Sequence, residues 1–485
     1  MNDDMLRVLR TVSAAFSNPV MAQVQDRNLK STLTALERAN IYVTNEMTAL
    51  PELRRQALTR YATLSERAAA LQARQGLDTE SSRELARAAQ ADGVVGLERA
   101  LAAAKEIYLE LSAIASSEAR QLQRDLLAPE LDLSEETWRS RNEIVVAGRN
   151  PGAAEGTVLQ AKGFDPKKLE AYIASTFPGE RALELVESRF VSGGYSKYTL
   201  RLRLAGVSSL PEELILRGDA GGTFGGAPVQ KEYELLRVLH GHGVRVPNPL
   251  AFEPSGTVFG APFMLVELEP GTIVGHMFEM PQPNKTTCRE VAEALARVHA
   301  VPLSALSGVR GAARNTVDQA KEFLGESLAS WRALGWSSPA YEASFDWLQR
   351  NIGILERTRS LVHGDYGLNN LLIDNERVAA ILDWEFAHIG NPAYDLGYFY
   401  YQADRLDSWD AFVQAYRAAG GAPVSTAELD YSTLFAVVRL GVMVCQSIVA
   451  FRNGQMPGLG GASALINNMH DTSINRIAGL LRRLL

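Results

Sequence analysis

Between residues 5 and about 127, apolar positions recur at helical spacing, as at Leu29, Leu33, Leu36 and Val43, in a stretch dominated by Ala, Leu, Glu and Arg and almost without glycine. The pattern predicts a bundle of four or five helices. Pro51, Asp78 ahead of Ser81-Ser82-Arg83-Glu84-Leu85, and Asp92-Gly93 mark its breaks, and a last long helix is expected from about 94 to 126. No histidine or carboxylate cluster at metal-ligand spacing occurs there, so the charges read as solvated faces between apolar stripes. From Ala128-Pro129 to about Gly163, Pro, Gly, Asn and Ser mix with few periodic apolar residues, which marks a linker.

A different periodicity follows. Asp165-Pro166 is a helix N-cap with proline at the first helical position. Residues 198–204 and 213–217 alternate polar and apolar over strand length, and a third strand at 262–267 ends at Glu269-Pro270-Gly271. A helix is expected from 229 to 239, and beyond about Thr287 helical spacing returns, broken by one short hairpin. Residues 434–451 form the most apolar run, but Arg439 and Gln446 interrupt it, which favours a buried core helix over a membrane span. The fold class is α+β: 1–128 a helical bundle, 129–163 a linker, 164–270 a small lobe on an antiparallel sheet, and 271–485 a mostly helical lobe.

A length of 485 residues fits two or three domains, and 46% apolar with 22% charged residues is the balance of an ordinary globular chain. The formal charge of -7 gives no basis for holding a nucleic acid. Cys288 and Cys445 stand far apart without a CxxC pattern, so neither a disulfide framework nor a zinc site is expected. The acidic start, Met1-Asn2-Asp3-Asp4, lacks the basic n-region of a signal peptide, and a cytoplasmic location is expected.

Chemistry concentrates further on. Leu361-Val362-His363-Gly364-Asp365-Tyr366-Gly367-Leu368-Asn369-Asn370 is followed by Leu371-Leu372-Ile373, then Asp374-Asn375-Glu376-Arg377, then Val378-Ala379-Ala380-Ile381-Leu382 and Asp383-Trp384-Glu385. Two apolar strands across four turn-tolerant residues predict a tight antiparallel hairpin with Asn370 and Asp383 at its open ends. Such pairing brings an amide oxygen and a carboxylate together, where one hard cation such as Mg2+ can bind both. Asp365, five residues before Asn370, is then close enough to orient or deprotonate a hydroxyl attacking a phosphate. His363 reads as a hydrogen-bonded loop anchor.

The HGDxxxxN pattern with its Ile-Leu-Asp-Trp continuation resembles the aminoglycoside phosphotransferase and choline kinase superfamily over roughly residues 164–485. The resemblance implies a bilobal protein kinase-like fold, ATP and Mg2+ as cofactors, Asp365 as the catalytic aspartate and Asn370 and Asp383 as metal ligands. It makes Asp395, in Gly390-Asn391-Pro392-Ala393-Tyr394-Asp395-Leu396, a structural aspartate of the helical lobe. It sets Ser192, Gly193, Gly194, Tyr195, Ser196 and Lys197 where such enzymes carry a phosphate-covering loop, although the segment departs from GxGxxG and an ordinary glycine turn remains the other reading. Arg217 takes the place of the phosphate-neutralising lysine, with Glu232 as its helix partner and Glu234 as the alternative. Glu267, Leu268 and Glu269 would offer backbone groups to the adenine edge, while the glycine-rich 218–226 connection is assigned no role. The chain has no GxxxxGK[ST], no strand-linked GxGxxG with a ribose-binding acid and no GxSxG, which excludes P-loop, Rossmann and α/β-hydrolase readings.

The expected activity is phosphorylation of a hydroxyl on a small molecule. Leu214-Ile215-Leu216-Arg217 and Gly260-Ala261-Pro262-Phe263 are similar to the kinase domain of acyl-CoA dehydrogenase family members, which points to a hydroxylated metabolite such as a hydroxyacyl compound. The alternatives are an aminoglycoside acceptor, for which Asp404, Asp407 and Asp410 would form an acidic wall, and a catalytically silent kinase-like scaffold. No nucleic acid or membrane partner is expected, and the bundle offers a surface for homo-oligomer formation.

Overall fold

The computed structural model describes residues 43, 47–91, 93–146, 165–180, 182–191, 197–219, 227–273, 283–355, 358–453 and 469–485. In chain order the elements begin with helices α1 (Leu50–Arg74), α2 (Glu80–Ala89), α3 (Gly93–Ser112), α4 (Ser117–Val146) and α5 (Pro166–Thr176). Next come β1 (Glu184–Val191), β2 (Lys197–Ala205), β3 (Glu213–Asp219), α6 (Val229–Gly241), β4 (Pro249–Glu253), β5 (Phe263–Glu267), β6 (Thr272–Ile273), α7 (Lys285–His299), α8 (Thr316–Ala333) and α9 (Pro339–Asn351). The chain ends with β7 (Ser360–Val362), β8 (Leu371–Asp374), β9 (Arg377–Ile381), β10 (His388–Gly390), α10 (Ala393–Ala403), α11 (Trp409–Ala418), α12 (Thr426–Arg452) and α13 (Met469–Leu484). Two compact units result: residues 1–154, 321–353 and 434–485 form a helical unit, and 155–320 with 354–433 form the other.

In the helical unit, Tyr61, Leu64, Leu71, Leu85, Leu97, Ile107, Leu122 and Leu126 interlock along α1 to α4 as one apolar core. Of the residues that suggested the opening periodicity, Leu29, Leu33 and Leu36 lie outside the described residues. The single helix expected over 94–126 is two, and the second runs on through Pro129 to Val146, into what was expected to be linker. The apolar stripe explains why: Leu122, Leu126, Leu127 and Leu131 are all buried, and packing of that face outweighs the one backbone hydrogen bond a proline removes.

The expected 271–485 lobe is likewise divided, because its residues 321–353 and 434–485 belong to the helical unit. Their polar ties to α4 show the cause. Glu130 of α4 accepts hydrogen bonds from Ser338 Oγ and from Ala340 N at 2.8 Å, capping the start of α9. Ser134 Oγ donates to the Asp471 carbonyl at 2.8 Å, and Arg482 of α13 pairs with Asp132 and Glu135. The apolar run within α12 is largely buried, with Val438, Val442, Cys445 and Ile448 among its covered residues.

The second unit is a protein kinase-like fold. Its five-stranded antiparallel sheet has the order β1-β2-β3-β5-β4. Strand alternation divides the side chains: Leu200, Leu202, Leu214, Leu216, Phe263 and Leu265 pack with Leu169 and Ile173 of α5, while Met264 and Val266 join Leu235, Leu236 and Leu239 of α6. Asp165 accepts from Lys167 N at 3.0 Å, so the Asp-Pro start of α5 caps as the sequence predicts. Below the sheet, β6, β8 and β9 form a three-stranded sheet and β7 pairs with β10, and these short strands frame the loop from 363 to 370.

Candidate active site

The loop between β7 and β8 is held from beneath by a buried carboxylate. Asp395, at the start of α10 and fully buried, accepts hydrogen bonds from His363 N at 2.7 Å, Gly364 N at 2.9 Å and His299 Nε2 at 3.1 Å. Burial alone would raise its pKa, but the His299 hydrogen bond and charge, with the Gly364 N–H, bring it below the ordinary value, so the group is a carboxylate. Gly364 has φ of +85°, and a Cβ there would lie 2.4 Å from the Phe386 carbonyl oxygen, so only glycine fits. His363 accepts from Asp365 N at Nδ1 (3.2 Å) and donates from Nε2 to the Leu382 carbonyl (2.9 Å), which fixes one neutral tautomer. Burial lowers its pKa, in keeping with the anchoring role read from the sequence. Its ring packs 4.5 Å from that of Trp384, centroid to centroid.

Asp365 is half-buried in a loop whose neighbours are buried. Asn370 Nδ2 donates to its carboxylate Oδ2 at 2.7 Å and to its backbone carbonyl at 2.9 Å, which orients the carboxylate and leaves the amide oxygen of Asn370 as the atom that could hold a cation. The hairpin forms as expected. Leu371 pairs with Ile381 and Asp374 with Arg377, across a two-residue turn in which Asn375 and Glu376 both have positive φ, of 46° and 67°. Leu382 N donates to the Asn370 carbonyl at 2.8 Å, so Asp383 emerges beside Asn370 at the open end. Asp383 has φ 65° and ψ 66°, a left-handed conformation that a non-glycine residue adopts at some cost and that concentrates at functional sites.

Charge from the sheet side converges on the same point. Arg217 of β3 donates from Nε to Glu232 of α6 at 3.2 Å and from Nη2 to Asp383 Oδ1 at 2.5 Å. Glu232 is therefore the partner; Glu234 is bonded to Gln230 and Lys231 instead. Burial would pull the Arg217 pKa down, but Glu232, Asp383 and Glu385 raise it, so it stays charged. Burial pushes the Glu232 carboxyl up and Arg217 pulls it back; with the guanidinium in contact, we take the two as an ion pair. Asp219, within the segment assigned no role, accepts from Val229 N at 3.1 Å and caps α6.

Not every expected residue takes its expected part. Ser192, Gly193, Gly194, Tyr195 and Ser196 lie outside the described residues. Lys197 is not part of a phosphate-covering loop: it opens β2, and its ammonium donates to Glu385 and to the Ala227 carbonyl, because burial of the charge demands partners close by. Glu267 belongs to β5 and its N–H goes to the Asn248 carbonyl at 3.0 Å, so its amide is committed to holding the sheet; Leu268 and Glu269 follow where β5 ends. Four residues that the sequence reading left out also hold the site: His299, Gln402, Asp219 and Glu385. Gln402 Oε1 accepts from Leu368 N at 2.9 Å. His299, Gln402 and Glu385 act across gaps of 96, 34 and 188 residues, which no local pattern spans, whereas Asp219 reaches only ten residues on to Val229.

The profile of the phosphotransferase enzyme family matches residues 187–431, about half of the chain. The chain belongs to that family. This phosphotransferase is 31% identical over 218 residues to mouse (Mus musculus) acyl-CoA dehydrogenase family member 10, covering 42% of this chain and 19% of that protein. Viomycin phosphotransferase of Streptomyces vinaceus is 29% identical over 180 residues, 34% of this chain and 58% of that one. The phosphotransferase thus spans about a fifth of the first relative and somewhat over half of the second. In fold it is similar to a Ralstonia eutropha protein that carries the name aminoglycoside phosphotransferase, with a TM-score of 0.53 at 20% identity, covering 66% of this chain and 99% of that chain.

Proposed function

We propose that this phosphotransferase moves the γ-phosphoryl group of ATP to a hydroxyl of a small molecule, with Mg2+ held by Asn370 and Asp383. The observation that carries the reading is the gathering of Asp365, Asn370 and Asp383 at one hairpin end, with the Arg217 guanidinium on Asp383. The donor set suits magnesium: one amide oxygen and one carboxylate are hard ligands of the kind that leave most positions to phosphate and water. Among the described residues no group of three or more His, Cys, Asp or Glu side chains forms a closed metal cage. When bound, the ion supplies charge neutralisation across the phosphate oxygens.

The chain's own residues supply the rest. Asp365 takes the proton of the attacking hydroxyl as the new oxygen–phosphorus bond forms and the bond from the γ-phosphorus to its bridging oxygen breaks, releasing ADP. Asn370 holds that carboxylate in place before substrate arrives, so little ordering is left for the reaction itself. Arg217 offers a permanent cation to phosphate oxygens, and the backbone of Leu268 and Glu269 would meet the adenine edge.

For the acceptor we infer a hydroxylated metabolite such as a hydroxyacyl compound, a reading supported by the likeness to a relative named for acyl-CoA dehydrogenases. The test is label transfer from γ-labelled ATP, with and without Mg2+, to a panel of hydroxyacyl compounds and aminoglycosides. Labelled hydroxyacyl product is the expected result. Label in the aminoglycosides alone would replace the acceptor, and no magnesium-dependent consumption of ATP would sink the reading in favour of a silent scaffold.

A further inference from the structure

Lys197 and Glu385 have no part in the reaction as written, yet they form a buried ion pair next to it. Lys197 is 3% exposed. Its ammonium lies 2.8 Å from Glu385 Oε2 and 2.7 Å from the Ala227 carbonyl oxygen, with Asp219 Oδ1 at 3.9 Å. Glu385 stands two residues beyond Asp383, and its own carbonyl accepts from Ala227 N at 2.9 Å. Ala227 leads directly into Pro228 and the start of α6, where Asp219 caps Val229. One ammonium therefore joins the first residue of β2, the approach to the helix that carries Glu232, and the turn that carries Asp383.

Net stability is a weak explanation for such a pair, since desolvation of two charges offsets most of their attraction. Position explains it better. Arg217 touches the Asp383 carboxylate directly and competes with anything else that binds there. Within the 383–385 turn the Lys197 ammonium meets the Glu385 carboxylate, so it can hold that turn while Asp383 changes partners. We propose that Lys197 and Glu385 are positioning residues that keep Asp383 aimed for metal binding by clamping its left-handed turn to the start of β2 and to the approach to α6.

The proposal rests on the magnesium-dependent reading above, and the experiment separates the two. Full-length Lys197→Met, Glu385→Gln and the double variant are compared with the parent chain for ATP turnover as a function of Mg2+, for ADP binding in EDTA, and for melting temperature. We expect the Mg2+ concentration for half-maximal turnover to rise about tenfold in each single variant, the scale seen when a residue supporting a metal ligand is removed. The double variant should be no worse than the poorer single, ADP binding in EDTA should hold within about twofold, and Lys197→Arg should recover part of the loss. Arg201→Ala, which breaks the exposed Arg201–Glu213 pair on the same sheet, should leave the Mg2+ dependence unchanged. An unchanged Mg2+ requirement in both single variants, or losses that simply add in the double, overturns the clamp alone. A parent chain without magnesium-dependent turnover overturns the functional reading and the clamp with it.

Discussion

In the helical unit Arg99 meets Glu84 at 2.6 Å with side chains 49% and 32% exposed; in the kinase-like unit Arg217 meets Glu232 at 3.2 Å with 17% and 3% exposed. The first kind recurs along the helical surface, at Arg67–Asp125 and Arg139–Glu136, where water screens the charges and little is gained. The second kind is concentrated around Asp383, where removing solvent makes every partner consequential. The contrast separates charge that faces water from charge held in fixed pairs at the candidate site.

The sharpest way to test that contrast is Asp365→Ala, which should lower phosphoryl transfer by roughly a thousandfold or more while ATP affinity, read by calorimetry, stays close to that of the parent chain. Full turnover would remove Asp365 from the chemistry. Next in size, Glu232→Ala leaves Arg217 with half its partners in a buried place and should reduce unfolding free energy by about 3 kcal/mol in urea titration, with weaker nucleotide binding. A loss no greater than that at a surface pair would erase the distinction drawn above.

Glu130 sharpens the comparison from within the helical unit, because it is buried there with Ser338 and Ala340 as hydrogen-bond partners and, among the described residues, no ion pair. Burial raises its pKa from 4.5 to about 7, against the pull of Ser338 and Ala340. The folded chain then keeps a proton that the unfolded chain has released, so stability falls as pH rises from about 4.5 to 7, by roughly 3 kcal/mol across the window. Glu130→Gln should flatten that slope in melts recorded at several pH values; an unaltered slope would assign it to another group. The smallest effect is expected for Arg99→Ala, within about 0.5 kcal/mol of the parent chain.

The β8–β9 hairpin was legible because its determinants are local: Asn375 and Glu376 adopt the turn that the flanking strands require, and the places of Asn370 and Asp383 follow from the count of strand residues. Arg217 and Glu232 were legible because strand and helix boundaries put them at matching ends. Lys197 was misread because its partner lies 188 residues away, a distance no periodicity spans. Pro129 was misread for the opposite reason, a strong local signal overridden by the apolar face around it. The assignment of 434–485 to the helical unit depends on contacts such as Ser134 with Asp471, which no local pattern encodes.

Beneath the 363–370 loop Tyr416 Oη lies 2.8 Å from His299 Nδ1, His299 Nε2 donates to Asp395, and Asp395 also accepts from the backbone N–H groups of His363 and Gly364. Because a carboxylate can only accept, Nε2 carries a proton, and three donors converge on Asp395. Three helices, α7 with His299, α10 with Asp395 and α11 with Tyr416, thus help to fix the loop that carries Asp365. The backbone that leads into Asp365 is thereby moored from the helical side before any other molecule reaches it.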